Sequence, residues 1–431
     1  MLIRKLCAAV FLSVIFAAPG TAGTFTPKSY IKAALDASLE MRQADQALEQ
    51  AKNTYTSAVL DAALPAFTAG MSTSLYDSNE KIWRLQKDNV NTSLSAGWNL
   101  YDSVSSPVKK IKKARLNYRY SELTFLIAKQ AEAVKALNRF YALFAAQKRV
   151  GTAKINLVSR EKQYTDTNEQ YQSGTRSKIE VTQSEGDKLQ SELDLAKAEF
   201  AEQKALMAFN ELIAAEPEAP QEVALATQTV NVPLPFPKED LDKALENNFT
   251  LRQQKIGLER TRITAQSDTM SKLPEFKVDA SWRRSKLGLP GAFGGGRADP
   301  VYGVTASLNF PFGFLGAQNY LGIKTQQAVL TSAELDLQNS IRSLKTNVLS
   351  SQKDIALQVK SQKLLDFQVK ALKDAMENLQ TEYAQGGAQF LQLDTAQTKL
   401  LDSSNNQINA VNDLDIALAN YMTLLGEKIW E

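Results

Sequence analysis

The feature that most constrains the fold of this chain is an internal repeat. In each half, a stretch of helical composition ends in Leu-Pro, two alternating strands follow, and a very long helical stretch is interrupted by Tyr-x-x-Gly. The Leu-Pro junctions are Leu64-Pro65 and Leu273-Pro274, and the interruptions run from Tyr171 to Gly174 and from Tyr383 to Gly386. A repeat of this length predicts one structural unit that is used twice.

The repeat divides the chain into four predicted segments. Residues 1–22 have the parts of a secretory signal: Arg4 and Lys5, an apolar run, and small residues before position 23. A first repeat over 23–214 and a second over 238–431 are joined by a Pro-rich linker, residues 215–237, with a possible short strand over 224–232. We expect no lipid anchor, because Cys7 lies at the start of the apolar run and not at its end.

Composition argues against several function classes. The chain contains no histidine and one cysteine, Cys7, so the processed chain has neither a histidine-based triad nor a Cys/His zinc site. Loss of residues 1–22 removes two basic and no acidic side chains and lowers the formal charge from +3 to +1. A nearly neutral chain is a poor electrostatic binder of nucleic acid. We therefore predict no enzyme, cofactor, metal or nucleic-acid partner.

Four stretches alternate between apolar and polar residues, as strands with one apolar face do. Strands of about 10 residues can cross a bilayer when they are tilted, with apolar side chains toward lipid. A soluble, half-buried sheet alternates in the same way, so the pattern leaves both interpretations open. The apolar positions are Phe67, Ala69, Met71, Thr73 and Leu75; Leu94, Ala96, Trp98 and Leu100; Phe276, Val278, Ala280 and Trp282; and Val304, Ala306, Leu308, Phe310 and Phe312.

The connections between these strands favour a membrane location. Residues 77–91 are polar and residues 288–300 are rich in glycine, as expected of hairpin loops in water. Four strands cannot close a barrel, and unpaired strand edges do not occur in lipid. If the strands cross a membrane, the chain must oligomerise.

The helical stretches carry apolar residues at intervals of three, four and seven, which indicates coiled-coil packing. A helix from Pro107 to Gln172 would be about 100 Å long at 1.5 Å per residue. Residues 29–64 and 175–214, stacked end to end, would match its length, and residues 238–273 and 388–427 would match a helix over 317–384. The many polar surface positions fit either a solvated outer face or the lining of a water-filled bore.

Taken in order, these motifs resemble the TolC-type outer-membrane channel proteins of the outer-membrane efflux family. The resemblance rests on the two Leu-Pro junctions, the two Tyr-x-x-Gly turns, and the strand exits Asn99-Leu100-Tyr101-Asp102 and Asn309-Phe310-Pro311-Phe312-Gly313. It implies an α+β membrane protein: a homotrimer with four strands per chain in a twelve-strand transmembrane β-barrel, continued by an antiparallel coiled-coil α-helical barrel into the periplasm.

The resemblance also implies a passive exit duct of a tripartite efflux pump or a type I secretion system. The duct would lie in outer-membrane lipid and open when a periplasmic adaptor (membrane fusion) protein and an inner-membrane transporter dock. The alternative is a periplasmic coiled-coil adaptor or scaffold protein without a pore. Such an adaptor would need a compact β domain inserted into one hairpin, whereas this sequence has two hairpins and two strand pairs.

Carried over residue by residue, the resemblance places the periplasmic tip and the adaptor contact at the two turns. The candidates are Tyr171, Gly174, Thr175 and Arg176 in the first repeat and Tyr383, Gly386 and Gly387 in the second. Glycine permits the positive φ of a tight turn between helices. Arg176, Glu180 and Asp394 are the candidates for gating bonds or ion selectivity. The second turn departs from the family pattern, because no basic residue follows Gly386 and Gln392 stands where relatives often have an acid.

Overall fold

The computed structural model of the protein describes residues 24–72, 76–77, 82–83, 91–103, 107–224, 236–237, 239–285, 299–310, 316–385 and 387–431. The predicted signal segment, much of the linker, most of both strand-connecting loops and Gly386 lie outside the described residues. So do the ends of two predicted strands, Thr73 to Leu75 and Pro311 to Gly313.

The order of helices and strands repeats as the sequence predicts. The helices of the first half are α1 (Pro27–Ala37), α2 (Leu39–Ala63), α3 (Pro107–Gln172) and α4 (Lys178–Leu212), and those of the second half are α5 (Asp240–Asn247), α6 (Phe249–Met270), α7 (Ala317–Ala384) and α8 (Phe390–Leu425). The strands are β1 (Thr24–Phe25), β2 (Ala66–Ser72), β3 (Tyr76–Asp77), β4 (Ile82–Trp83), β5 (Asn91–Asp102), β6 (Glu222–Val223), β7 (Glu275–Ser285) and β8 (Val301–Asn309).

Two predicted helices are each interrupted once. The stretch 29–64 breaks at Ser38, whose backbone is extended (ψ 125°) and whose hydroxyl accepts a hydrogen bond from the Met41 N–H. The stretch 238–273 breaks at Asn248, whose side chain accepts from the Leu251 N–H. In both cases the short polar side chain starts a new helix by capping it.

The main sheet joins the strand pairs of both repeats in the order β2-β5-β7-β8, all antiparallel. The predicted apolar positions meet across it: Phe67 is opposite Ala96, Ala96 is opposite Trp282, and Ala280 is opposite Val304. Directly opposed residues share a face, so one face of the sheet is apolar. That face is open in the single chain, where Phe67 is 70% and Val304 is 74% exposed.

One predicted position on this face is wrong. The register shifts between Asn99 and Tyr101, and Tyr101 lies opposite Val278 where the alternation predicted Leu100. A bulge of one residue exchanges the two faces beyond it.

Each long helix packs against the shorter helices of its own half, α3 against α1, α2 and α4, and α7 against α5, α6 and α8. The short helices meet near the middle of the long ones. The rings of Tyr30 of α1 and Phe209 of α4 stack with their centres 3.9 Å apart, beside Phe140 of α3. In the second half, Leu251 of α6 and Leu418 of α8 share a cluster with Val348 of α7. These junctions are the two main buried cores among the described residues.

The start of the described chain is joined to the linker between the repeats. β1 pairs in parallel with β6, and the Ala224 N–H donates to the Phe25 oxygen at 3.0 Å. The possible strand predicted over 224–232 lies almost wholly outside the described residues, and the observed strand ends just before it. Within the described part of the chain, no helix is both long and apolar enough to cross a membrane.

Candidate functional site

The first hairpin turn, between α3 and α4, is built around a glycine. Gly174 has φ +80°, a backbone conformation that is unfavourable for residues other than glycine. The Thr175 N–H donates to the Gln170 backbone oxygen, and the Gly174 N–H donates to the Tyr171 backbone oxygen, both at 2.9 Å. This bond pattern closes the end of α3 in a Schellman motif.

The next helix begins immediately, with Ser177 as its cap. The Ser177 hydroxyl accepts from the Glu180 N–H, and the Glu180 carboxylate accepts from the Ser177 N–H at 3.0 Å. The Ser177 N–H and hydroxyl, followed by the Arg176 guanidinium, hold the pKa of the Glu180 carboxyl below its usual range. Glu180 is therefore a charged capping residue.

The second turn, between α7 and α8, ends its first helix with a comparable bond. The Gly387 N–H donates to the Glu382 oxygen at 2.9 Å, spanning the same number of residues as the Thr175 to Gln170 bond. At the start of α8, the Gln389 N–H donates to the Gln392 side-chain oxygen at 3.3 Å. Gln392, which departs from the family pattern in sequence, thus has a local capping role.

The tyrosines of the two motifs lie in different environments. Tyr383 is 1% exposed and Tyr171 is 41% exposed. The Tyr383 and Thr167 hydroxyl oxygens are 2.7 Å apart. Because Thr167 donates its proton to the Gln163 backbone oxygen at 2.7 Å, Tyr383 is the donor to Thr167. This buried bond connects α7 to α3, and burial raises the pKa of the Tyr383 hydroxyl.

Arg176 connects the first turn to the second. Its Nη2 donates to the Ala388 backbone oxygen at 2.9 Å, and its guanidinium lies 4.6 Å from the centre of the Tyr383 ring. Its remaining nitrogens donate to Gln170 and Glu180. The Gln170 side-chain amide in turn donates to the Tyr383 backbone oxygen at 3.1 Å. The two turns are therefore held together by one arginine, one glutamine and one buried tyrosine.

A second polar contact lies farther along the hairpins, on α3. Arg160 donates to the Asp394 carboxylate of α8 at 2.6 Å and to Gln163 at 3.2 Å. The Asp187 carboxylate of α4 lies 3.6 Å from the same Arg160 nitrogen. Burial raises the pKa of the Asp187 carboxyl, and the Arg160 guanidinium opposes that rise. Asp394, a predicted gate candidate, is thus an ion-pair partner of an arginine that sequence reasoning missed.

Sequence spacing contained a signal for Arg160. Arg160, Gln163 and Thr167 are separated by three and four residues and are all buried. This is the spacing of core positions on the same helix, so a heptad pattern that turns polar near its end indicates a buried polar interface. Two further bonds cross between the repeats nearby, from Gln380 to Ser159 at 2.8 Å and from Gln397 to Asn156 at 3.1 Å.

The Leu-Pro junctions lie at the opposite end of the long helices. Leu64 and Leu273 follow the last turns of α2 and α6, and Pro65 and Pro274 directly precede β2 and β7. Both leucines are exposed in the single chain. Among the described residues there is no group of three acidic, histidine or cysteine side chains that could hold a metal ion.

The fold is that of solved TolC-type outer-membrane channels. The outer-membrane channel OprN is 14% identical with a TM-score of 0.76, over 96% of this chain and 95% of its own. VceC from Vibrio cholerae is 16% identical with a TM-score of 0.73, over 94% and 97%. The open state of the MtrE channel from Neisseria gonorrhoeae is 17% identical with a TM-score of 0.71, over 93% and 89%.

Residues 241–427 match the sequence model of the family described as outer membrane efflux protein. The second repeat is therefore an outer membrane efflux protein domain, and the whole chain has the TolC-type fold. The resemblance that the sequence motifs indicated is confirmed. No curated relative matches the chain by sequence.

Proposed function

We propose that this protein is a trimeric outer-membrane channel-tunnel, the passive exit duct of a tripartite efflux pump or type I secretion system. One observation carries the proposal: a sheet with an exposed apolar face continues into two helical hairpins that are bonded together at their far ends. The sheet would lie in lipid, the helices would extend into the periplasm, and the bonded turns would close the periplasmic end.

The sheet supports a barrel made from several chains. β2 and β8 are its outer strands, and each pairs with one neighbour in the described sheet. Joining β8 of one chain to β2 of the next would satisfy both edges, as lipid requires. Three copies would give twelve strands with the apolar face outward.

The helices support a ring of the same kind. α4 packs mainly against α3, and along its other side it exposes Ile179, Leu193, Phe200 and Met207, which are separated by multiples of seven residues. α7 exposes Leu321, Leu335 and Leu349 with the same period. Heptad stripes of this kind pack against a neighbouring helix. In a ring of identical chains, the stripe of one protomer would meet another stripe of the next.

The gate would consist of the bonds between the hairpins at the turns. Arg176, Gln170 and Thr167 of the first repeat hold Tyr383 and Ala388 of the second. Opening requires these bonds to break, so a docked partner would have to supply interactions that favour the separated state. Selectivity by Asp394 would depend on its pairing with Arg160, since a neutralised pair adds no net charge around the opening.

The adaptor would meet the exposed turns and the adjoining helices. A groove of about 440 Å³ runs between α3, α7 and α8 near the turns, with exposed Ile155 and Val158 along it. An amphipathic helix with apolar residues on one face fits such a groove. A pore-free adaptor is a poorer account of the chain, because the strands of both repeats form one continuous sheet and not a domain inserted into one hairpin.

A pair of neighbouring substitutions tests the membrane placement. Val304→Arg puts a charge on the apolar face, whereas Thr305→Arg puts it on the opposite face of the same strand. A lipid-facing arginine costs about 2–4 kcal/mol near the bilayer midplane. We expect Val304→Arg to reduce the trimer recovered from outer membranes, on gels of boiled and unboiled samples, and Thr305→Arg to leave it nearly unchanged. Equal recovery of both variants, or wild-type protein in the soluble periplasmic fraction, contradicts the proposal.

A further inference from the structure

We propose that Arg160 exchanges carboxylate partners when the gate opens, from Asp394 on α8 in the closed state to Asp187 on α4 in the open state. The proposal rests on the proposed function, because it assumes that the α7–α8 hairpin moves away from the α3–α4 hairpin. It assigns Asp187 a role as the reserve partner of a buried cation.

In the closed geometry the two carboxylates lie at different distances from Arg160. Asp394 accepts a hydrogen bond from Arg160 Nη1 at 2.6 Å. Asp187 Oδ2 lies 3.6 Å from the same nitrogen, beyond hydrogen-bond distance. That oxygen is buried and has no hydrogen-bond partner in the structure. A buried carboxylate oxygen without a partner is unusual, and here it faces a guanidinium that is occupied elsewhere.

The arrangement of the helices makes the exchange possible. Arg160 and Asp187 belong to α3 and α4, which pack along each other as one hairpin. Asp394 and Thr398, the other partners of Arg160 across the interface, belong to α8. When α8 moves away, Arg160 loses both of these partners, whereas Asp187 and Gln163 stay beside it. A small side-chain rotation would then close the gap to Asp187.

The exchange avoids an unpaired buried charge in the open state. The Arg160 side chain is only 10% exposed, and a buried charge that loses its partner strongly destabilises the state that contains it. With Asp187 in reserve, the open state retains an ion pair. In the closed state Asp187 is an additional carboxylate beside the Arg160–Asp394 pair. Burial, and to a smaller extent the Asp394 carboxylate, raise the pKa of the Asp187 carboxyl.

A gating experiment tests the exchange. In single-channel recordings of the purified trimer, we expect Asp187→Asn to shorten the open time roughly fivefold or more, within the usual range of coupling between two conformations. We expect Asp394→Asn to lengthen it, and Asp187→Glu to restore wild-type behaviour. Asp194→Asn is the matched control, because Asp194 lies on the same helix in an exposed pair with Lys197.

A double-mutant cycle gives an independent readout by thermal unfolding. Asp187→Asn should leave the Tm unchanged or raise it in the wild-type background, because Arg160 keeps Asp394. In the Asp394→Asn background it should lower the Tm, because Arg160 then depends on Asp187. Equal effects in both backgrounds overturn the exchange.

The outcomes separate the exchange from the proposed function. If the wild-type protein forms no channel, the proposed function fails. If it forms a gated channel and Asp187→Asn opens normally, the exchange fails and the channel stands. Failure of Asp187→Asn to assemble also overturns the exchange, because Asp187 would then be required in the closed state.

Discussion

Tyr171 and Tyr383 occupy the same position of the repeated Tyr-x-x-Gly motif, yet only Tyr383 is buried between the hairpins. The difference arises from the neighbours. α3 provides Thr167 and Arg176 follows the first turn, and both contact Tyr383. Residue type and spacing predicted where the turns lie, but they treated the two tyrosines as equivalent. The contacts that distinguish them form between repeats and are not encoded in either motif alone.

The Tyr383 hydroxyl offers the most direct residue-scale prediction. Tyr383→Phe removes one buried hydrogen bond between α7 and α3, a loss of about 1 kcal/mol. If that bond exists only in the closed state, the open-to-closed ratio in single-channel recordings should rise roughly fivefold. Tyr171→Phe is the control, because Tyr171 has the same position in the other motif and is 41% exposed. Similar effects of both substitutions would remove Tyr383 from the gate.

Arg160 shows why single residues did not predict the whole site. An arginine in a helix of mixed polarity is ordinarily interpreted as a surface residue. It is buried here because Asp394 and Thr398 of the other repeat cover it. Asp394 itself was predicted as a gate candidate from its place after the second turn, but its partner could not be identified without the packing of α3 against α8.

The long helices are the elements that the sequence predicted best. The predicted ranges 107–172 and 317–384 coincide with α3 and α7, because a sustained heptad pattern defines the interior of each helix and the Tyr-x-x-Gly motif its end. The shorter helices were predicted as continuous where Ser38 and Asn248 interrupt them. These caps were not anticipated, since serine and asparagine also occur at exposed positions within helices.

The first hairpin turn makes an element-scale prediction about stability. Gly174 has open space around it but a positive φ, so Gly174→Ala should destabilise the turn by about 1 kcal/mol through backbone strain alone. Gly151 also has no neighbour within 4 Å but is helical, so Gly151→Ala should be neutral or slightly stabilising. Thermal unfolding of both variants measures the contrast. A stable Gly174→Ala protein would show that the turn tolerates another conformation.

The contact between α3 and α7 can be tested by cross-linking. Ser159 and Gln380 are hydrogen-bonded at 2.8 Å, and Cys7 in the predicted signal segment is the only native cysteine. In a Ser159→Cys/Gln380→Cys double variant, a short bis-maleimide should link the two helices within one chain. The link should be found by peptide mapping of the monomer band, with each single variant as control. Cross-linked dimers in its place would assign this contact to two different chains.

At the scale of the whole molecule, the internal repeat determines how the sheet and the hairpin turns are assembled. Each repeat contributes two strands to one sheet and one hairpin to the bonded pair of turns, so neither repeat alone contains the site. The sequence predicted this architecture from order and periodicity. It could not predict the register shift at Tyr101, because the alternation of β5 continues in sequence while its pairing with β7 changes. In the proposed channel, copies of the chain would close the ring.

The central claim is that copies of this chain form one channel, closed at the end formed by the hairpin turns. The measurement that tests it most directly is single-channel conductance of the signal-processed protein in a planar bilayer, with its oligomer mass determined in the same detergent. We predict a trimer with a small resting conductance, which increases when the bonds to Tyr383 are removed. A monomer that never inserts into the bilayer would contradict the account and place the apolar face of the sheet against another protein.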